Sequence, residues 1–285
     1  MKKHGIVWIC VLVAIVFLQS SVVRADSAQQ EFARGEALLA KADFRGALQA
    51  FGSAARADRD NREYLQHYSL VRQVITLRQR LDAEKDAARW EYLARGLHAF
   101  YVGRGIYGEA LELDRKVHAR FNTASSAVML AETQLAMNLN ADAAEVLATL
   151  DASMATPSSR ALLGIALARQ GKLEQARRVA GTIELPENAG PGMSYNVGRL
   201  QAAIGSADAA LGLLARCFES VPPSRLDGFK NHAKGCPEFA QLVSTSAFAK
   251  VLKTQSKVAE SKCSGGSRCA GCPMRGKCSK SQGRP

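Results

Sequence analysis

Two stretches of the sequence decide the fold. They are residues 163–180, LGIALARQGKLEQARRVA, and residues 197–214, VGRLQAAIGSADAALGLL, which align without gaps when Gly164 is placed on Gly198. In that alignment Gly171 also coincides with Gly205, and Ala176 coincides with Ala210. Three such coincidences at one offset are hard to obtain by chance in a chain with 23 glycines. The sequence therefore predicts an internal repeat with a period of about 34 residues.

Fainter copies of the same pattern precede these two. Their small and large apolar positions are Gly35, Leu38, Ala47, Phe51 and Ala54; then Leu97, Tyr101, Gly105, Tyr107 and Ala110; then Leu130, Ala131, Asn138, Ala143, Leu147 and Leu150. With Leu163, Leu167 and Leu214 they cover most of residues 28–218. This pattern resembles the tetratricopeptide repeat family, whose repeat is two antiparallel helices in about 34 residues. The Trp of that family is absent from every copy, and its closing Pro is mostly missing.

The resemblance implies an all-α fold, a right-handed solenoid of antiparallel helix pairs. Each pair has an apolar face that it buries by stacking on the next pair. Residues 59–90 depart from the pattern. There EYLQHYSLVRQVITLRQRL predicts one long helix, and Asp82 to Asp86 predicts a turn or a helix extension. We expect a distorted or elongated helix pair in that stretch.

Four regions are predicted along the chain: a signal peptide over 1–25, helical repeats over 26–218, a helical cap over 219–255 and a Cys-rich tail over 256–285. The cap contains Val221-Pro222-Pro223 and then Phe229, Phe239, Leu242, Phe248 and Leu252 around a Cys236-Pro237 break. It resembles the short end-cap that follows many bacterial repeats of this family. Such a cap is expected on physical grounds, because an uncovered last repeat would expose its apolar face.

The charge of the chain is concentrated at its two ends. The net charge is +12, of which +3 comes from Lys2, Lys3 and Arg24 and +8 from residues 250–285. The body over 26–249 is close to neutral, at +1. The tail also has no aromatic residue to stack on bases. We therefore expect no nucleic-acid partner.

The N-terminus has the pattern of an export signal. Two lysines precede an apolar run from Ile6 to Leu18, which is too short to span a bilayer comfortably but has the length of a signal-peptide core. Val23-Arg24-Ala25 predicts cleavage before Asp26. We expect an extracytoplasmic protein, periplasmic or secreted. The alternative is an uncleaved signal anchor in the inner membrane, and that segment is then the only expected membrane contact.

Catalytic patterns are scarce in this sequence. The helix-borne histidines are His67, His98 and His118, and none has a neighbour at the spacing of a triad or of a helical metal site. Neither a phosphate-binding loop nor a dinucleotide-binding glycine motif is present. We therefore predict a role other than catalysis.

The family resemblance implies a binding groove lined by the first helix of each pair. By the repeat register its inward positions include Val128, Leu135 and Ile165 together with six polar or aromatic candidates. These are Tyr92, Arg95, Glu132, Arg169, Tyr195 and Arg199. Arginines and tyrosines on one groove suit an extended protein or peptide segment with carboxylate groups. The alternative is that these are solvated helix positions.

The tail carries four cysteines, Cys263, Cys269, Cys272 and Cys278, at the spacing C-x5-C-x2-C-x5-C. Four thiolates at such spacing can bind Zn²⁺ or an iron–sulfur cluster. In an exported protein they can equally form two disulfides. A third alternative is a flexible basic tail whose cysteines have no role. The sequence thus predicts an exported protein-binding scaffold, with a metal or redox module as the alternative in which the tail carries the function.

Overall fold

The computed structural model of the chain describes residues 26–259. Within that range it is built of helices and contains no β-strand, so the predicted all-α class is confirmed. The helices are α1 (26–40), α2 (Phe44–Ala57), α3 (Arg62–Ala83), α4 (Ala87–Gly103), α5 (Tyr107–Phe121), α6 (Ala124–Ala136), α7 (Asn140–Ala148), α8 (Pro157–Arg169), α9 (Leu173–Gly181), α10 (Pro191–Ala203), α11 (Ala207–Ser220), α12 (Pro223–Gly235) and α13 (Ser246–Leu252), with a short 3₁₀ turn at Pro237–Phe239. None of these helices is both long and apolar enough to cross a bilayer.

The described residues form two compact units, which divide between Leu139 and Asn140. The first unit contains α1 to α6. Its core includes Phe51, Val71, Leu97 and Val117. The second unit contains α7 to α13.

One turn recurs through the chain and sets the repeat. A residue in the left-handed conformation occurs at Ala42, Gly105, Asn138, Gly171 and Gly205. The amide of the following residue donates to a carbonyl five positions back each time, as from Ile106 to Tyr101 at 2.8 Å and from Lys172 to Leu167 at 3.0 Å. This is the bond that closes a helix through a left-handed residue. The last four turn residues are 33, 33 and 34 positions apart, so the predicted repeat is confirmed.

Small residues recur at fixed distances from this turn. Five positions after each turn residue stands an alanine with no exposed surface, namely Ala47, Ala110, Ala143, Ala176 and Ala210. Seven positions before the turn, a Cβ added to Gly35 would lie 2.6 Å from the Phe51 ring, and one added to Gly164 would lie 2.6 Å from Leu200. Such distances do not occur between real side chains. These glycines therefore allow neighbouring helices to approach.

The irregular stretch is a single helix. α3 runs through 22 residues, and the Asn61 side chain caps it by accepting from the amides of Glu63 and Tyr64. The prediction of one long helix is confirmed, whereas the expectation of a helix pair is wrong. No Gly or Pro interrupts residues 62–83, so nothing in that stretch favours a turn. Arg78 fixes α3 to its neighbours by donating to the Tyr101 hydroxyl at 2.9 Å and to Glu109.

The end of the second unit is an apolar cap. Phe239 and Phe248 have no exposed surface and belong to the same core as Leu214 and Phe218 of α11. Beyond α13, the Lys257 amide donates to the Glu219 carbonyl at 2.8 Å, and its ammonium lies 2.8 Å from the Glu219 carboxylate. The chain is thus fastened beside the end of α11 at the beginning of the predicted tail. The predicted signal peptide and the tail cysteines lie outside the described residues.

Candidate functional site

The six predicted groove residues occupy one face of the helices that precede the recurrent turn. Counted back from the turn residue, Tyr92 and Arg95 stand 13 and 10 positions before Gly105 in α4, and Glu132 stands 6 before Asn138 in α6. Arg169 stands 2 before Gly171 in α8. Tyr195 and Arg199 stand 10 and 6 before Gly205 in α10. Positions 13, 10, 6 and 2 fall on one side of a helix. We call this side the leading face.

In the first unit the leading face carries an exposed aromatic side chain beside a fixed guanidinium. Tyr92 is 79% exposed. Arg95 donates from Nε and Nη2 to Glu91 at 3.0 and 2.6 Å, and from Nη2 to the Ser125 hydroxyl at 3.1 Å. Because Ser125 belongs to α6, this arginine connects α4 to α6, two of the helices that carry the leading face. Glu132 lies exposed on α6.

In the second unit the leading face is covered by the chain itself. The carboxylate of Glu238, which follows Pro237 in the cap, is only 2% exposed and lies between two arginines. Arg169 donates to its Oε1 at 2.6 Å, and Arg199 donates to its Oε2 at 3.0 Å. The Cys236 thiol donates to the same Oε2 at 2.8 Å. We call this arrangement the Glu238 clamp.

The electrostatics of the clamp follow from burial and charge together. Burial alone would raise the pKa of Glu238, but Arg199, the Cys236 thiol and Arg169 hold that pKa below its ordinary value. Burial alone would likewise lower the pKa of Arg199, yet Glu238 keeps it above its ordinary value. Both groups are therefore charged at neutral pH, and the clamp is a buried ion network.

Tyr195 belongs to the same interior. It is 5% exposed, its hydroxyl is hydrogen-bonded to His232 Nδ1 at 2.6 Å, and its ring lies 6.0 Å from that of Phe239. Burial raises the pKa of Tyr195 and lowers the pKa of His232. The tyrosine is thus a neutral hydrogen-bonding group of the cap interface.

The structure therefore separates the predicted groove residues into two groups. Tyr92, Arg95 and Glu132 lie where a second molecule can reach them. Arg169, Tyr195 and Arg199 were expected to line an open groove, and in this respect the prediction is wrong, because the cap occupies the space in front of them. The Pro-Glu-Phe sequence of the cap was the available signal. A glutamate inside a short apolar cap needs a buried cation.

A second buried polar cluster was missed by sequence reasoning. Asp114 has no exposed surface; its Oδ1 lies 2.8 Å from His98 Nδ1, and its Oδ2 accepts from the Thr133 hydroxyl at 2.6 Å. These residues link α4, α5 and α6. The repeat register contained the signal. Seven positions before the turn His98 replaces the Gly or Ala of the other copies, and nine positions after it Asp114 stands where other copies have Phe51, Leu147 and Leu214.

The cysteines of the described residues are not suited to ligand chemistry. Cys217 and Cys236 are buried free thiols, and burial raises their pKa values to about 12 and about 11. Thiols with raised pKa values are poor nucleophiles and poor metal ligands at neutral pH. Cys217 has no exposed surface and packs as a small apolar residue in the core of the second unit. No cluster of three or more metal-binding side chains occurs within residues 26–259.

Comparison with known proteins does not assign this chain to a family. No protein-family model matches the chain, and no curated protein matches it. Among solved structures it is similar to a crystal structure of a thermophilic TPR protein from Thermus thermophilus, at 18% sequence identity and a TM-score of 0.35. The match covers 71% of this chain and 98% of that chain. A likeness at this level says nothing of function.

The chain's own geometry places it among helical repeat proteins. Its turns each lie between two helices, and the last four recur at a spacing of 33 or 34 residues. The small residues keep fixed distances from each turn. A helix–turn–helix unit of about 34 residues is the structural unit of tetratricopeptide repeats. Over residues 26–259 the chain is therefore an all-helical repeat protein whose helix–turn–helix units resemble tetratricopeptide repeats.

Proposed function

We propose that this chain is an exported scaffold that binds a protein partner through the leading face of its first unit. The observation that carries the proposal is Tyr92, which is 79% exposed beside an arginine held by Glu91 and Ser125. Tyrosine and arginine supply most of the binding energy at many protein interfaces. A fixed guanidinium also loses little side-chain entropy on binding.

The charges of this face suggest the kind of segment it binds. Arg95 offers donors to a carboxylate or a backbone carbonyl, and the exposed Glu132 of α6 offers an acceptor to a basic or amide group. An extended segment with polar groups of both kinds satisfies both, while an apolar side chain packs on the Tyr92 ring. No catalytic step is proposed.

A photo-crosslinking experiment tests this surface. The full chain carrying benzoylphenylalanine at Tyr92 is expressed in its native host, irradiated, and the covalent adducts are identified by mass spectrometry. The matched control carries the same group at Val243, which is also exposed but lies in the cap of the second unit. We expect an adduct from position 92 that position 243 does not give.

The partner so identified is then purified and titrated against variants. Y92A/R95A should weaken its binding by about tenfold or more, since each anchor is worth more than about 1 kcal/mol when truncated at an interface. L173A, an exposed residue of α9, should leave binding unchanged. Equal binding by Y92A/R95A and the unaltered chain would show that the surface is misassigned.

Export is part of the same proposal and has its own test. The apolar run from Ile6 to Leu18, the two lysines before it and Ala25 support cleavage before Asp26. Intact mass of the protein from its native host should then correspond to residues 26–285 in an extracytoplasmic fraction. A chain retaining residues 1–25 in the membrane fraction would support the signal anchor instead.

A metal or redox module is the second candidate function. The spacing of Cys263, Cys269, Cys272 and Cys278 favours it, and Lys257 fixes the chain shortly before them. Metal content and free thiols of anaerobically prepared native protein separate zinc, an iron–sulfur cluster and disulfides. Loss of function in C269S/C272S with intact partner binding would favour the module over the scaffold.

A further inference from the structure

The outer side of α3 is an unpartnered polar stripe. Tyr64, Val71, Val74 and Leu81 bury one side of this helix. On the opposite side its exposed residues include Arg62, Gln66, Ser69, Arg72, Gln73 and Arg80. At 1.5 Å per residue the stripe is about 27 Å long. We call it the α3 stripe.

The stripe is cationic and lacks its own counter-charges. Within the described chain, none of Arg62, Arg72 and Arg80 forms an ion pair. Arg78, on the packed side of the same helix, is paired with Glu109. The acidic residues of α3, Glu63 and Asp82, project about 100° or more from the centre of the stripe by helical geometry. Three guanidiniums are thus presented on one face, about 15 and 12 Å apart along the axis.

The ends of this chain do not complement that charge. The segment before Asp26 carries +3, and residues 250–285 carry +8. Neither of these segments can supply a negatively charged occupant.

The remaining side chains of the stripe distinguish an acidic protein segment from a membrane. Glutamine, serine and threonine stand between the arginines, and Leu65 is the one large apolar side chain of the face that is well exposed, at 44%. A helix that lies on a lipid surface needs a continuous apolar face to insert. Amide and hydroxyl groups around a single leucine instead suit hydrogen bonding to a polypeptide backbone.

We propose that the α3 stripe is a docking surface for an acidic segment of a partner protein. An extended segment advances about 3.3 Å per residue, so carboxylates four to five residues apart reach successive arginines. A small apolar side chain of the partner packs on Leu65. This surface belongs to the helix that replaces a repeat pair, and its residues are separate from Tyr92 and Arg95.

The probe is a short fluorescein-labelled oligoglutamate, titrated by anisotropy against the full mature chain. The test variant is R62E/R72E/R80E. The control R45E/R115E/K116E changes three exposed cations of α2 and α5 and has the same net charge. We expect the test variant to bind about tenfold more weakly than the control, because three exposed ion pairs are lost and reversed.

Equal weakening in the two variants would overturn the proposal, since it would reflect net charge and the basic tail alone. If charge reversal impairs folding by circular dichroism, R62Q/R72Q/R80Q replaces it with the same expectation. A parallel titration uses vesicles with phosphatidylglycerol. A difference between variants on vesicles but not on oligoglutamate would overturn the protein-partner assignment in favour of a lipid surface.

Discussion

The two units of the molecule place their buried charge in opposite positions. In the first unit the buried carboxylate, Asp114, lies at a helix crossing, and the leading face is open around Tyr92. In the second unit the equivalent crossing is apolar, with Gly164 against Leu200, and the buried carboxylate, Glu238, lies on the leading face. One repeat register therefore yields a surface available to a partner in one unit and a surface sealed by the chain itself in the other.

The largest effect is expected from removing the carboxylate of the Glu238 clamp. E238A leaves Arg169 and Arg199 buried without their counter-charge and should cost about 3–5 kcal/mol of unfolding free energy. The comparison variant in the first unit is R95A. There a half-exposed ion pair with Glu91 is lost, which should cost less than about 1 kcal/mol. Urea unfolding of both proteins measures the difference, and similar losses would contradict the contrast between the units.

Acid should lower the unfolding free energy of the second unit, as E238A does. The loss should be smaller, because a protonated Glu238 keeps its volume and hydrogen bonds. Its pKa is lower in the folded chain than in the unfolded chain. The stabilisation is therefore fully present above the ordinary carboxyl pKa and is lost as pH falls through the lowered value. The lowered pKa of His232 also reduces stability on acidification, beginning near its ordinary pKa of 6.5. The midpoint of thermal unfolding, measured against pH, should fall less steeply on acidification in E238Q than in the unaltered chain, because position 238 no longer titrates.

The buried hydrogen-bond cluster of His98, Asp114 and Thr133 in the first unit should be costly to break and cheap to replace. D114A leaves His98 and Thr133 without their acceptor and should cost about 2 kcal/mol or more. H98G/D114L restores the residue types of other crossings, and most of that loss should be recovered. Chemical unfolding of the single and double variants tests this. A double variant less stable than D114A would show that the crossing cannot take the apolar arrangement of the second unit.

Adding a side chain at two different glycines should change the stability of the chain in opposite directions. G164V forces a branched group into Leu200 and should cost about 1–3 kcal/mol. A Cβ at Gly96 of α4 meets nothing within 4 Å, so G96A should stabilise the helix by up to about 1 kcal/mol. Midpoints of thermal unfolding give both signs. Destabilisation by G96A would mean that the exposed side of α4 is in contact with something.

The smallest effects are expected at the turns. Ala42 adopts a φ of 60°, where an L-residue costs about 1 kcal/mol relative to glycine. A42G should therefore stabilise the chain slightly, and G105A should destabilise it by a similar amount. Differential scanning calorimetry of the pair resolves the two shifts.

The local sequence was sufficient to predict the repeat, but not to predict that the cap contacts the leading face of the second unit. Gly171, Gly205 and the alanines five positions later act through neighbouring turns and helices, so their spacing along the chain predicts their contacts. Glu238 meets Arg169 across 69 residues and Arg199 across 39 residues. No periodicity relates those positions. Their contact exists only because the cap folds back over α10.

The polar crossing at His98 and Asp114 could have been predicted by extending the second repeat copy four residues past Ala110. Aligned with Phe51, Leu147 and Leu214, Asp114 is a charge at a core position, which requires a partner. That α3 is one long helix could be predicted from its lack of helix breakers. Its exposed arginines could not be predicted, because only the packing shows which side of a 22-residue helix is left uncovered.

The recurrent turn also determines how this chain can change in length. Each left-handed residue and its closing bond form the same joint, and the joints that follow α4 are almost evenly spaced along the chain. Loss or duplication of one whole joint-to-joint segment leaves every remaining joint intact. An insertion between a turn residue and the alanine five positions later shifts that alanine away from its helix crossing, whereas additional residues farther from the turn, such as α3, leave the alanine in place. Each turn together with its two flanking small residues must therefore be kept as one piece, while the chain between such pieces can change in length.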